Sequence, residues 1–183
     1  MFLKSLDIFG FKSFEDRTHI DFADGFTALL GPNGCGKSNV VDAIKWVLAE
    51  NKAKNLRASQ KEDVIFNGTE RRAPLNVAEV TLTMSNENGL LPLEDTEIAI
   101  KRRLYRSGDN EYFINNKPCG ARDIIRLFMD TGVGKSAYSV MEQGKIDQIL
   151  SSKPEDRRYL FEEAAGISRS KVECAEAERE LEQ

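Results

Sequence analysis

Apolar residues recur at two-residue spacing at the start of the chain, break at Gly10, and resume through Thr18-His19-Ile20-Asp21-Phe22. This pattern predicts a strand, a bend and a second short strand within residues 3–22, closed by the Asp24-Gly25 turn pair. Phe26-Thr27-Ala28-Leu29-Leu30 is a continuous apolar run, which predicts a short strand buried on both faces. It leads into Gly31-Pro32-Asn33-Gly34-Cys35-Gly36-Lys37-Ser38. Beyond that loop Val40, Val41, Ile44, Val47 and Leu48 repeat at helical spacing, predicting a helix over residues 37–50.

Residues 51–73 are polar and basic, interrupted by one apolar island, Val64-Ile65-Phe66, and a turn at Asn67-Gly68. Strand character then returns around Val77, Val80, Leu82 and Met84, again over residues 97–105, and at Tyr112-Phe113-Ile114. The turns between them, at residues 86–89 and at Ser107-Gly108-Asp109-Asn110, make this half an antiparallel meander. From Ala121 the spacing of Ile124, Ile125, Leu127, Phe128 and Met129 predicts a helix that stops at Thr131-Gly132. A short strand over 138–141 and a helix start at Ser152-Lys153-Pro154-Glu155 follow. Ile167, Ser170, Cys174, Ala177 and Leu181 keep the 3-4-3-4 spacing of a coiled-coil seam, though two heptads fit a solvated single helix equally well.

Composition narrows the class. In 183 residues, 40% are apolar and 31% charged, as expected of a soluble globular domain. Lysine and arginine number 26 against 30 aspartates and glutamates, a net charge of −4 that excludes a uniformly basic nucleic-acid coat but not a local basic patch. No apolar run approaches the roughly 18–20 residues that span a bilayer, so no integral membrane protein is expected. The opening residues, with Asp7 close behind, do not read as a signal peptide. Cys35, Cys119 and Cys174 are odd in number and far apart, which fits a reducing cytosol rather than a disulfide or zinc framework. His19, in an alternating stretch, reads as a strand or surface histidine.

Gly31-x-x-x-x-Gly36-Lys37-Ser38, set between a predicted strand and a predicted helix, has both the spelling and the context of a phosphate-binding P-loop. Glycines let the backbone wrap phosphate oxygens with its N–H groups, and the helix N-terminus adds its positive end. Lys37 then supplies a mobile cation for the β- and γ-phosphates, and the Ser38 hydroxyl a hard ligand for Mg²⁺. Cys35 holds a position where side-chain identity matters little. A second Gly-Lys-Ser, in Gly132-Val133-Gly134-Lys135-Ser136, lacks the earlier glycine, whose place Met129 takes, and reads as a structural loop. The best match to four apolar residues ending in aspartate is Leu127-Phe128-Met129-Asp130, too short and on a predicted helix, so the chain has a phosphate cradle without a convincing catalytic acid. No Leu-Ser-Gly-Gly stretch occurs. Lys101, Arg102, Arg103 and Arg106, with Arg71 and Arg72 upstream, form a basic cluster that suits either phosphate contact with DNA or a solvated strand face.

The order of motifs adds more. Phe11-Lys12-Ser13-Phe14, the run GPNGCGKSNVVDAIKWVL, Asn55-Leu56-Arg57-Ala58 and the stretch from Glu62-Asp63-Val64 to Gly68 come in sequence. The stretch from Tyr138 through Gln143 to Ile146, and Phe161-Glu162-Glu163-Ala164-Ala165-Gly166-Ile167, follow. Across essentially the whole chain these closely resemble the N-terminal head half of a structural-maintenance-of-chromosomes (SMC) protein, an ATP-binding-cassette ATPase. The resemblance implies an α/β P-loop NTPase lobe: a mixed sheet around the P-loop helix, an antiparallel β-subdomain, and the root of a coiled coil. Residues 1–165 would be the lobe and 166–183 the start of the arm. The family's C-terminal half supplies the signature motif, the acidic strand end and the catalytic glutamate, so this chain alone is expected to be inactive as an ATPase.

By motif, Gln143 resembles the Q-loop glutamine, a ligand for Mg²⁺ together with Ser38, and Arg57 the arginine that reaches nucleotide phosphates. Lys37, Arg57 and Gln143 would be the working residues. ATP would be held by Pro32, Asn33, Gly34, Cys35, Gly36, Lys37, Ser38 and Asn39, with Lys12 and Ser13 on the nucleoside side and Asp63 nearby. The resemblance also implies the C-terminal lobe, a second SMC head, DNA and a kleisin-type subunit as partners, and a cytoplasmic, nucleoid-associated setting. A coiled-coil ATPase of double-strand-break repair, or a nucleotide-gated clamp with negligible turnover, are the alternative readings.

Overall fold

The computed structural model describes residues 1–128 together with the isolated helical positions Cys174 and Glu178. The first compact unit, Met1–Ile124, is built on a six-stranded sheet. Its strands are β1 (Phe2–Phe9), β2 (Thr18–Asp21), β3 (Val77–Ser85), β4 (Glu97–Tyr105), β5 (Asn110–Ile114) and β6 (Lys117–Cys119), in the spatial order β2-β1-β3-β4-β5-β6. Every pairing is antiparallel, as the alternation and turn signals predict for the second half.

The period-2 pattern decides which face is buried. Leu6 lies opposite Leu82 and Ile8 opposite Val80; Leu82 in turn faces Ile100, and Met84 faces Ile98, all of them buried. The helix α1 (Lys37–Val47) supplies Val40, Ala43, Trp46 and Val47 to this core and packs on β3 and β4. The opposite sheet face carries Ser5, Asp7, Thr81, Thr83, Lys101 and Arg103, which stay partly exposed. A second helix, α2 (Ala121–Phe128), begins where the spacing predicts.

The apolar island Val64-Ile65-Phe66 has a definite task. It is buried, Phe66 N donates to Gly10 O (2.8 Å), and Lys12 N donates to Val64 O (2.7 Å). The Phe-Lys-Ser-Phe stretch is thereby pinned, with the fully buried Phe11 ring 5.2 Å from that of Trp46. Gly10 makes this possible. Its φ is +62°, and a β-carbon there would stand 2.1 Å from Val77 O.

Two expectations are corrected. The run at residues 26–30 is not a buried strand: Phe26 is 93% and Leu30 91% exposed, and Leu29 is exposed as well. A strand buried on both faces needs hydrogen-bonding neighbours, and no described strand lies alongside this run. The P-loop helix also ends at Val47 rather than near residue 50. Ala49 takes φ +66°, turning the chain, and the Arg102 guanidinium collects the released carbonyls of Trp46 and Glu50. The expected strand at 138–141, the helix start at Ser152, the coiled-coil seam, the second Gly-Lys-Ser and the lobe boundary after 165 lie outside the described residues.

Candidate functional site

The P-loop is an exposed turn leading into α1. Gly34 (φ +85°) and Gly36 (φ +99°) hold backbone conformations that side chains resist, and Gly36 opens the helix with no side-chain cap. The Lys37 Nζ folds back to donate to Gly31 O and Pro32 O, both at 2.6 Å, with Cys35 Sγ 3.8 Å away. A β-carbon on Gly31 would come within 2.8 Å of Cys35 Sγ, so the thiol packs against the loop's own first glycine. Asn33 and Gly34 stand exposed between them. Asn39 Nδ2 donates to Ser13 Oγ (2.8 Å), bringing the pinned loop against the first helical turn. Ser13 also lines an open groove of about 380 Å³ with Phe14, Phe66, Thr69 and Arg71.

Uncapped helix N–H groups, glycines in left-handed conformations and a lysine lying on loop carbonyls fit a polyphosphate. Ser38 is exposed at the start of α1, where its hydroxyl suits a hard cation. Gln143, the other expected Mg²⁺ ligand, lies outside the described residues.

Asp42 is the residue that reading the sequence missed. It is 2% exposed in the second turn of α1, and its Oδ2 accepts from Arg57 Nη2 (2.6 Å), Arg57 Nε (3.1 Å) and Lys12 Nζ. Arg57 Nη2 also donates to Ser38 O (2.6 Å), and Lys12 Nζ to Leu56 O. A carboxylate on the packed face of a helix, three residues after Asn39 and four before Trp46, was the available signal. A charge there demands cationic partners. Arg57 is thus placed beside Ser38, at the first turn of α1, whereas Lys12 is committed to Asp42 and Leu56. Asp63 turns back to its own backbone, accepting from Ser59 N (2.9 Å) and Gln60 N (2.7 Å).

Four arginines of the basic cluster, Arg102, Arg103, Arg106 and Arg72, take structural roles. Arg102 is 3% exposed, donating to Trp46 O (2.8 Å), Glu50 O (2.9 Å), Asn51 Oδ1 (2.7 Å) and Asn110 Oδ1 (3.1 Å). Its guanidinium lies over the Trp46 and Tyr112 rings at 4.5 and 4.9 Å. Burial pushes its pKa down to about 10, which leaves it charged at neutral pH. Arg103 is held by Glu79 (2.5 and 2.8 Å). Burial pushes the Glu79 carboxyl up, but Arg103 and Arg17 outweigh it and hold the group below the ordinary carboxylate range. Arg106 binds Leu75 O and Phe66 O, and Arg72 pairs with Glu15 and Asp16. Of the cluster on β4, Lys101 alone keeps a loosely engaged cation, 3.3 Å from Asn116 Oδ1.

An antiparallel sheet packed on a P-loop helix, with an arginine anchored beside the loop, is the arrangement of a P-loop domain. The chain belongs to the RecF/RecN/SMC N-terminal domain family, whose model matches residues 2–146. It is 55% identical over 181 residues to the chromosome partition protein Smc of Bacillus subtilis (strain 168), covering 99% of this chain and 15% of that protein. The chain thus spans about 15% of the length of such relatives. Among solved structures, the Smc head domain of Pyrococcus furiosus, with an extended coiled coil and bound to the C-terminal domain of ScpA, superposes with a TM-score of 0.85 at 34% identity. That match covers 100% of this chain and 46% of the other. A chain from work on ATP-driven dimerization and DNA-stimulated activation of SMC ATPases gives a TM-score of 0.80 at 33% identity, covering 89% of this chain and 99% of that one. The SMC resemblance read from the motifs therefore holds.

Proposed function

We propose that this chain is the ATP-binding lobe of an SMC head, acting in chromosome segregation and DNA organisation. The observation that carries the reading is the open P-loop: an uncapped α1 N-terminus flanked by Lys37, Ser38 and the anchored Arg57. Phosphate oxygens would meet the loop's N–H groups, and Lys37 would exchange its bonds to Gly31 O and Pro32 O for the β- and γ-phosphates. Ser13, across from Asn39, borders the side on which the nucleoside would lie. Ser38, with Gln143, would hold Mg²⁺, which neutralises charge on the phosphates when bound. Asp42 is spent on Arg57 and Lys12 and is not free for the metal.

Turnover requires a group that positions the attacking water. By motif no residue of this chain takes that role, so the C-terminal lobe would supply it. The exposed apolar run at residues 26–30 supports such completion, because a neighbouring strand would both pair with it and cover Phe26 and Leu30. A second head would close the nucleotide between two P-loop faces. A kleisin-type subunit is the partner suggested by the ScpA-bound relative. DNA would be contacted by the assembled head. The setting would be the cytoplasm, at the nucleoid; among the described residues no helix is long and apolar enough to cross a membrane.

Steady-state phosphate release tests the reading, measured for residues 1–183 alone and mixed with the C-terminal lobe, with Lys37→Ala as control. The chain alone should give background rates. The mixture should hydrolyse ATP in a Lys37-dependent manner, with a rate rising more than linearly with protein concentration. Robust Lys37-dependent turnover by the chain alone would overturn the division of labour.

A further inference from the structure

The buried acid in α1 has a use beyond packing. Asp42 and two cations meet at one carboxylate oxygen, so the cluster carries one more positive charge than negative. The Lys12 side chain is 12% exposed and that of Arg57 54%, so the surplus charge reaches solvent through Arg57, at the Ser38 turn. Asp42 engages Arg57 by Nε and Nη2, and neither bond uses Nη1. Arg57 itself sits at φ +52°, where a side chain of this size is disfavoured, and the bonds to Asp42 and Ser38 O fix its direction. A guanidinium gripped on one edge offers a rigid donor to an anion on the other.

We propose that Asp42 is a positioning residue for the nucleotide: from the P-loop helix it grips Arg57 through Nε and Nη2 and presents Nη1 to the polyphosphate. This rests on the reading of the P-loop as an ATP site. In the bound state the grip persists, because phosphate would engage the nitrogen that Asp42 leaves over.

ATP titration of the 183-residue chain, followed by calorimetry, tests this through a mutant cycle. Asp42→Asn alone would strand the buried Lys12 ammonium, so the cycle is run in a Lys12→Met background, with folding checked by Trp46 fluorescence. Arg57→Ala should weaken ATP binding about tenfold, as expected on losing a charge-assisted contact. Asp42→Asn should weaken it about fivefold while Arg57 is present and by less than about twofold once Arg57 is alanine, because its effect passes through the guanidinium. Equal losses in both backgrounds would make Asp42 a scaffold residue and overturn the proposal. So would no loss with Arg57 present. Failure of the underlying reading looks different: affinity would then be unchanged by Lys37→Ala or by Arg57→Ala itself. A second measurement needs no variant. The Arg57 Nε–H resonance, protected by Asp42 in the free chain, should stay protected when ATP is added. Its loss of protection would mean that Arg57 leaves Asp42 to bind, and would overturn the proposal however the variants fold.

Discussion

Replacing Arg102 with leucine strips the C-terminal end of α1 of its cap. Two backbone carbonyls, Trp46 O and Glu50 O, lose the guanidinium, as does the Asn110 side-chain oxygen, whereas Asn51 Oδ1 keeps the Tyr112 hydroxyl. The amides can turn toward other partners; the carbonyls at the helix end are fixed. Taking the guanidinium away from these two carbonyls costs about 1–3 kcal/mol each. Losing the two ring contacts, with Trp46 and Tyr112, adds about 1–2 kcal/mol. Against this, leucine removes a desolvated charge and buries apolar surface, recovering about 2–3 kcal/mol. At the middle of each range the net is a destabilisation of about 3 kcal/mol. Arg102→Lys should be no better, since a single ammonium keeps the buried charge but cannot span four acceptors around two rings. Trp46 is the sole tryptophan and 1% exposed, so its fluorescence during urea unfolding reports on this region directly. With a slope of about 2 kcal/mol per molar urea, the midpoint should fall by about 1–2 M for either variant. Midpoints within about 0.3 M of the parent would refute the capping role. A lysine variant that restores stability would show that charge, not the forked geometry, matters there.

Two further outcomes follow from the sheet and its edge loop. His19 is the single histidine, with Nδ1 2.6 Å from Asp7 and Nε2 3.0 Å from Asp21; hydrogen bonding to Asp7, then to Asp21, raises its pKa above the ordinary 6.5. Its stabilisation is therefore fully present below pH 6.5 and fades as pH rises through the folded-state value. An NMR titration should place the midpoint above 6.5, with Asp7→Asn lowering it; a midpoint at or below 6.5 in the parent contradicts the pairing. Gly10→Ala should destabilise the fold by roughly 3 kcal/mol or more, because its β-carbon meets Val77 O at a positive φ. A thermal midpoint unchanged by that substitution would show that the β1 turn is free to move.

Much of the candidate site was legible in one dimension because its parts are local. Glycine spacing, a lysine–serine pair and the helical repeat behind them lie within eighteen residues, where backbone conformation depends on near neighbours. The hairpins of β3, β4 and β5 were readable for the same reason: alternation and turn residues are short-range signals. The apolar run at residues 26–30 shows the limit of that reasoning. Hydrophobicity declares that a segment is meant to be covered, but the cover is another segment, and among the described residues it is absent.

The sequence by itself determined the P-loop with the helix behind it, the antiparallel hairpins of the second half, and the family, each of which is written in contiguous residues. Only the tertiary structure decided what the charges do. Arg102 and Arg103 are adjacent in the chain, yet the pleat sends one beneath α1 and the other to Glu79 on the outer face. Asp42, thirty residues from Lys12 and fifteen from Arg57, became their common anchor when α1 docked between the loops that carry them. A charge is defined by the partners and the dielectric around it, and both arise only when distant segments pack together.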